Sequence, residues 1–225
     1  MLKRIFDIVA SAFALLILTP ILIPVMLILL FTGEGEVFYR QERIGKGNKP
    51  FYITKFATML KNSPNIGTGE YTLRNDPRVF PFGRFLRKSK INEFPQFWDI
   101  FIGKMSFVGP RPQMLKVHAA YPKEYENVLA SVKPGLTGVG SIVFRDEEII
   151  LSNAENFDLC YKKQIIPYKA VLEDWYRDHQ SVVVDVVLIF ITVWVIIWPD
   201  SNIIYKAFQS IPYKDKFLFG QRNIE

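Results

Sequence analysis

Four basic residues, Arg84, Arg87, Lys88 and Lys90, run into the dipeptide Asn92-Glu93, and a second segment, from Gly103 to Pro112, ends by fixing Arg111 between Pro110 and Pro112. Guanidinium and ammonium groups around a helix N-terminus make a site for phosphate oxygens. A carboxylate such as Glu93 can hold a divalent cation that bridges a diphosphate. Local structure explains the same residues in another way. Asn92 suits a helix N-cap, Glu93 a first-turn acid and Pro95 an early-turn proline, while Arg111 suits a surface position in a proline-rich loop. The local pattern leaves both readings open. The glycines of Gly45-Lys46-Gly47-Asn48 read as a hairpin turn, and only weakly as a phosphate cradle.

The elements that must position these residues are mixed. Strand-like runs Val37 to Arg40 and Phe51 to Lys55 flank the glycine turn, helices follow, and Asn62 to Asp76 reads as a loop through Ser63-Pro64, Gly67, Gly69 and Asn75-Asp76-Pro77. Two apolar blocks enclose this middle, Ile5 to Phe31 and Val182 to Trp198. Ile8 to Phe31 carries no charge, and only Ser11 and Thr19 are polar, so it is long enough to cross a bilayer of about 30 Å. Pro20 and Pro24 each remove a backbone donor, which predicts a bend, and the Ser11 and Thr19 hydroxyls or neighbouring chain could partly satisfy the carbonyls it exposes. Basic residues flank the block on both sides, Lys3 and Arg4 before, Arg40, Arg43, Lys46 and Lys49 after. The positive-inside tendency is satisfied on both sides if the helix re-enters one leaflet, while a kinked span stays equally open because proline is tolerated in spanning helices.

The second block is broken only by Asp185 and Thr192. It reads as a helix lying in the membrane interface, with Trp194 and Trp198 at headgroup level, or as a spanning or core helix. In the tail, Tyr205, Phe208, Tyr213, Phe217 and Phe219 could dock on the membrane or on the domain. The net charge of +6 lies beside the apolar blocks and in scattered turns, with no aromatic-interleaved basic stripe, which argues for membrane lipid and a phosphorylated substrate and against nucleic acid. The single cysteine, Cys160, excludes an internal disulfide.

Taken in order, the chain resembles the bacterial sugar transferases, the monotopic polyprenyl-phosphate phosphoglycosyltransferases. The matching residues run from Lys3-Arg4-Ile5-Phe6-Asp7 through Phe38 to Gly45, Lys55-Phe56 with Thr58-Met59, Asn75-Asp76-Pro77-Arg78, Phe82-Gly83, Leu86-Arg87-Lys88, Glu93-Phe94-Pro95-Gln96 and Met105 to Pro112. They continue with Lys133 to Gly138, Arg145, and Ser181 with Asp185. The resemblance implies a mostly α, α/β fold in three parts: a re-entrant membrane helix at 1–32 bent near Thr19-Pro20, a small mixed cytosolic domain at 33–180, and a membrane-associated helix and tail at 181–225.

The same resemblance implies transfer of a sugar phosphate from a UDP-sugar to polyprenyl (undecaprenyl) phosphate on the cytosolic face of the bacterial inner membrane. That step initiates a cell-surface polysaccharide such as an exopolysaccharide. It further implies Mg²⁺ held by Glu93, phosphate or framework contacts by Arg87, Arg111 and Arg145, and room for a homo-oligomer or a glycosyltransferase complex. In such enzymes an Asp attacks the β-phosphate and carries the sugar phosphate. This sequence has Asn92 at that position, and an amide is a very poor nucleophile. Ala57 replaces a common Arg, a less polar run from Gly140 to Arg145 replaces one with Gln and Asn, and Glu173 stands where Asp is frequent. Three expectations follow: a transferase that avoids an Asp intermediate, with Glu93 as nucleophile or with direct attack by the polyprenyl phosphate; a non-catalytic member that binds nucleotide sugar or polyprenyl phosphate; or a membrane-surface protein with an unrelated nucleic-acid or lipid role.

Overall fold

A computed structural model describes residues 1–66, 76–119, 121, 123–152 and 157–214. Gly67, Gly69 and Asn75 of the expected loop, and Phe217 and Phe219 of the tail, lie outside them. The chain divides into two compact units. One holds Asp7–Glu42 and Tyr52–Gly103; the other holds Met1–Phe6, Arg43–Phe51 and Lys104–Glu225.

Helix α1, Leu2–Leu30, is 29 residues long and contains both Pro20 and Pro24. At 1.5 Å per residue it is about 44 Å long, longer than the hydrocarbon core. By length and composition it can cross a membrane. Its buried residues are Asp7, Ser11, Val25 and Leu29, while Phe13, Leu16, Ile17, Leu27 and Phe31 stand exposed. An apolar surface of this size suits lipid better than water. The expected use of the hydroxyls needs a correction. Thr19 Oγ1 donates to its own Leu15 carbonyl at 2.7 Å, whereas Pro20 leaves the Leu16 carbonyl without its helical donor. Ser11 bonds back to Asp7 and Ile8, well before either proline.

In the unit built on Asp7–Glu42 and Tyr52–Gly103, Val25 and Leu29 pack with Phe56 and Leu86. The hairpin forms as expected, with β1 at Phe38–Ile44 and β2 at Pro50–Phe56 around a Lys46–Asn48 turn; its outer part, Arg43–Phe51, belongs to the other unit. Gly47 at φ 72° and Asn48 at φ 57° supply the left-handed turn conformations, so this segment is a hairpin tip. Helix α2, Pro81–Lys88, and helix α3, Gln96–Phe101, complete the unit. Arg78 anchors the nearby loop: it forks onto Asp76 at 2.9 and 2.6 Å and donates to the carbonyls of Ser63 and Ile66.

The other unit contains a parallel pair, β3 Ser106–Val108 with β4 Gly135–Thr137, in the register Ser106 to Gly135 and Val108 to Thr137. A Cβ on Gly109, Gly135 or Gly138 would run into facing backbone, so these glycines permit the close approach. Helices α4 Leu115–His118, α5 Lys123–Ser131, α6 Val139–Val143, α7 Glu147–Ser152, α8 Phe157–Cys160 and α9 Ile166–His179 follow around the pair.

Helix α10, Val182–Ile197, buries Asp185, Leu188, Ile191 and Val195 and exposes Val183, Phe190, Val193, Trp194, Ile196 and Trp198. One face is packed and the other is bare and apolar, which removes the core-helix alternative. The two interruptions in its sequence both have partners. Asp185, fully buried, pairs with Lys3 and accepts from the Tyr176 hydroxyl at 2.6 Å. Thr192 meets Thr137, hydroxyl to hydroxyl, at 2.7 Å. The described tail docks on the domain: α11 is Ile203–Ala207, Tyr205 stacks on Tyr213, Phe208 meets Trp175, and Ile204 and Ile211 are buried.

Asp185→Ala leaves the Lys3 ammonium without its counter-ion and should cost on the order of 3 kcal/mol. In thermal unfolding of detergent-solubilised protein we expect the melting temperature to fall by several degrees, and to fall less for Asp185→Asn, which still accepts from Tyr176.

Candidate functional site

After α2 the chain turns through Lys90 at φ 60°, ψ 6° and continues as a 3-10 turn, Ile91–Glu93, into right-handed Phe94 and Pro95 and then α3. Ile91 packs against the apolar cluster of Val25, Leu29, Phe56 and Leu86. A helical stretch places residues three and four apart on one face. Here three polar residues turn inward, Asn92, Gln96 and Asp99, beside the fully buried Ile100.

Asp99 is taken up by β2. Its carboxylate accepts from the Thr54 N–H at 2.7 Å and from the Thr54 hydroxyl at 3.3 Å. The next residue, Lys55, then reaches Glu93, Nζ to Oε1, at 3.4 Å. Both side chains are mostly covered, 15% and 18% exposed, so the pair is less screened than a surface ion pair. From α2, Arg87 is half-buried and its Nη1 lies 3.5 Å from Thr58 Oγ1. Arg87, Asn92 and Glu93 thus belong to one unit, with Lys55 and Thr58.

The expected N-cap role of Asn92 is not what forms. Pro95 occupies the cap position of α3, no side chain caps it, and Asn92 sits inside the preceding 3-10 turn. Pro95 tolerates this place because its missing N–H is one that a helix start leaves over. Asn92 Oδ1 is buried without a hydrogen-bond partner, and so is Gln96 Nε2. A buried polar group left unsatisfied costs about 1–3 kcal/mol.

Arg111 and Arg145 belong to the other unit. The Pro110 carbonyl accepts from Gly135 N at 2.9 Å and the Gln113 carbonyl from Ile44 N at 2.9 Å, so the backbone is tied down on both sides of Arg111, which is exposed. Arg145, also exposed, follows α6 and donates to the Ile142 carbonyl at 3.2 Å. A small cavity beside Arg111 is bounded by Gly45, His118, Leu129 and Pro134.

Behind Arg111 lies a buried charged group. Lys169 donates to both Glu147 oxygens at 2.7 and 2.8 Å, and its ammonium lies 5.4 Å from the centre of the Phe144 ring. Burial pulls the Lys169 pKa down, and Arg111 adds to this while Glu147 opposes it. One turn on, Glu173 is buried against Gly140, whose N–H donates to its carboxylate, and Glu173 Oε2 has no partner. A Cβ at position 140 would collide with Glu173 Oε1, so the glycine makes room for the longer acid. Burial pushes the Glu173 carboxyl up to about 7, against the pull of Lys169 and the Gly140 N–H.

Among the described residues no three His, Cys, Asp or Glu side chains gather as a metal site. Glu93 alone still fits Mg²⁺, which is commonly held by one or two carboxylates with substrate phosphate oxygens as the remaining ligands.

The sequence reading did not find the parts played by Lys55, Gln96, Asp99, Glu147 and Lys169. The spacing Asn92, Gln96, Asp99 is a helical signal for a polar inner face and was available. The Lys55 and Lys169 pairings join distant segments, for which local sequence has no signal.

The family model described as bacterial sugar transferase matches residues 1–199. This chain therefore belongs to the bacterial sugar transferase family. It is 34% identical over 200 residues to the UDP-glucose:undecaprenyl-phosphate glucose-1-phosphate transferase of Escherichia coli K12, covering 86% of this chain and 40% of that protein. It is 32% identical over 207 residues to the exopolysaccharide production protein ExoY of Rhizobium meliloti, covering 86% of this chain and 84% of ExoY. A third relative, 33% identical over 147 residues, is the UDP-N-acetylgalactosamine-undecaprenyl-phosphate N-acetylgalactosaminephosphotransferase of Aeromonas hydrophila, with 63% of this chain and 34% of that protein covered. The chain spans about two fifths of the length of the Escherichia coli protein.

Glu173 gives a pH prediction with a definite sign. Its folded pKa, about 7, lies above the ordinary 4.5, so folding takes up a proton between those values. The associated stability is complete below about pH 4.5 and is lost as pH rises through 7, a difference on the order of 3 kcal/mol. We expect the melting temperature of the wild type to fall between pH 5 and 8, and Glu173→Gln to flatten that slope.

Proposed function

We propose that this protein transfers the sugar 1-phosphate of a UDP-hexose, with UDP-glucose the first candidate, to a polyprenyl phosphate such as undecaprenyl phosphate. The observation that carries this is the Lys55–Glu93 pair standing beside a neutral Asn92, in a chain that belongs to the sugar transferase family. Its relatives' names, which include transfer of glucose 1-phosphate to undecaprenyl phosphate and exopolysaccharide production, support the same reading.

The chemistry proceeds in one displacement. An oxygen of the polyprenyl phosphate bonds to the β-phosphorus while the bond from that phosphorus to the oxygen of UMP breaks, and UMP leaves with the electron pair. Asn92 cannot carry the sugar phosphate, because the amide lone pair is delocalised and uncharged. Lys55 pairs with Glu93 at 3.4 Å, which commits that carboxylate to charge pairing and metal binding. Glu93 would hold Mg²⁺, which would supply charge neutralisation for the diphosphate. Lys55 and Arg87 add fixed positive charge; phosphate or framework contacts by Arg111 and Arg145 follow from the family resemblance alone.

The membrane part of the proposal is that α1 dips into the cytosolic leaflet of the inner membrane and returns. Basic residues at both ends and Pro20 and Pro24 within support that topology. With it go the three-part division at 1–32, 33–180 and 181–225, the bare face of α10 lying in the interface, and assembly as a homo-oligomer or with later glycosyltransferases.

Asn92 also favours a second reading, a member that binds nucleotide sugar or polyprenyl phosphate without turnover. UMP release from UDP-glucose, UDP-galactose and UDP-N-acetylgalactosamine, with and without undecaprenyl phosphate, separates the two. We expect UMP only when the acceptor is present, a loss of about 100-fold in Glu93→Gln, and acceptor-independent release of up to one UMP per protein in Asn92→Asp. Absence of turnover with every donor would leave the binding-only reading.

A further inference from the structure

The inner face of the Ile91–Phe101 stretch carries three buried polar side chains, and their hydrogen-bonding capacity does not balance. Asp99 is engaged by Thr54 through both its carboxylate oxygens. Glu93 and Lys55 pair with each other. What is left over is one acceptor, Asn92 Oδ1, and one donor, Gln96 Nε2, in residues 8% and 3% exposed. The two residues are one helical turn apart, the spacing at which side chains on a helix become neighbours.

The chemistry of the leftover atoms restricts what can occupy them. A phosphate oxygen accepts and so leaves Asn92 Oδ1 unsatisfied. An ammonium group or a metal ion leaves Gln96 Nε2 unsatisfied. A hydroxyl group donates and accepts at once and satisfies both. Neither amide carries charge, so neither competes with Glu93 for a cation or repels a diphosphate.

We propose that Asn92 and Gln96 together bind one hydroxyl group of the donor sugar and so help to decide which hexose the protein accepts. This rests on the transferase reading of the same site. It gives Asn92 a function as an amide: an Asp there would be an acceptor as well, but one whose charge faces the diphosphate of the substrate. A site built to hydrogen-bond a hydroxyl rejects an analogue that lacks it, because its buried groups are then left without partners. An ordered water has the same chemistry and is the other source of a hydroxyl.

Calorimetric titration of the full chain in detergent micelles distinguishes the two sources. The probes are UDP-glucose, UDP-galactose, their mono-deoxy analogues at C2, C3, C4 and C6, and UDP. We expect wild type to bind one mono-deoxy analogue about tenfold or more weakly than its parent. Asn92→Leu and Gln96→Met, which keep size and remove the polar atoms, should bind that analogue and its parent equally while UDP binding is unchanged. If wild type binds every deoxy analogue as tightly as its parent, the pair holds an ordered water only and the proposal is overturned. Retained discrimination in both variants overturns it as well. Equal binding of parent and analogues by the wild type overturns the proposal even if a variant fails to fold, and Asn92→Ser and Gln96→Glu then serve as the second pair of variants. Failure of both parent UDP-sugars to bind would remove the transferase reading itself, a result distinct from equal binding of parent and analogue.

Discussion

Thr54 donates its backbone N–H to the Asp99 carboxylate at 2.7 Å, and the candidate site depends on that bond. It fixes which face of α3 meets β2. Once that face is set, the neighbour of Thr54 in the chain, Lys55, comes within reach of Glu93, and Asn92 and Gln96 are turned inward with Asp99. Thr54 anchors α3 through its N–H and hydroxyl, while its neighbour Lys55 meets the carboxylate at the start of the same helical stretch. The cost is a polar interior beside the apolar cluster of Val25, Leu29, Phe56 and Leu86. Such a face is retained in a folded protein when its polar atoms find partners or serve a ligand.

The unit that contains α10 is organised around buried charge in a different way. Lys3, near the start of the chain, meets Asp185 on α10, and Tyr176 on α9 donates to the same carboxylate. The Lys3 ammonium also donates to the Val108 carbonyl at the end of β3. An apolar helix therefore carries one acid, and that acid ties three distant segments together. The Lys169 cluster does similar work behind Arg111, where the small size of Gly140 admits Glu173. Glycine here determines which acid can be accommodated, and the acid's burial determines when it ionises.

Local features of the fold were legible in the sequence. The hairpin was announced by Gly45 to Asn48 between two strand-like runs, and α1 and α10 by their predominantly apolar composition. Composition could not tell whether α10 is a core helix, because it is apolar nearly all round; the exposure of Phe190, Trp194 and Ile196 shows that one face is bare. Asn92 was misread for a definite reason. Asn followed by Glu and an early proline is also the pattern of a helix start, and the chain begins its helical course at Ile91, ahead of the residue expected to cap it. The Lys55–Glu93 contact was not legible, although both residues stood among the matching motifs, since nothing local records which strand a helix will face. Gln96 lay in the same motif, and its inward turn follows from its spacing to Asp99.

The central claim is that sugar phosphate passes to the polyprenyl phosphate without resting on the protein. The stereochemical course at phosphorus tests it most directly, using a UDP-sugar whose β-phosphorus is made chiral with sulfur, and comparing the configuration of the polyprenyl product with that of the donor. One in-line displacement inverts that centre, and inversion is the result this account predicts. Retention would mean two displacements through a covalent intermediate, with Glu93 or another side chain as the carrier, and would contradict it.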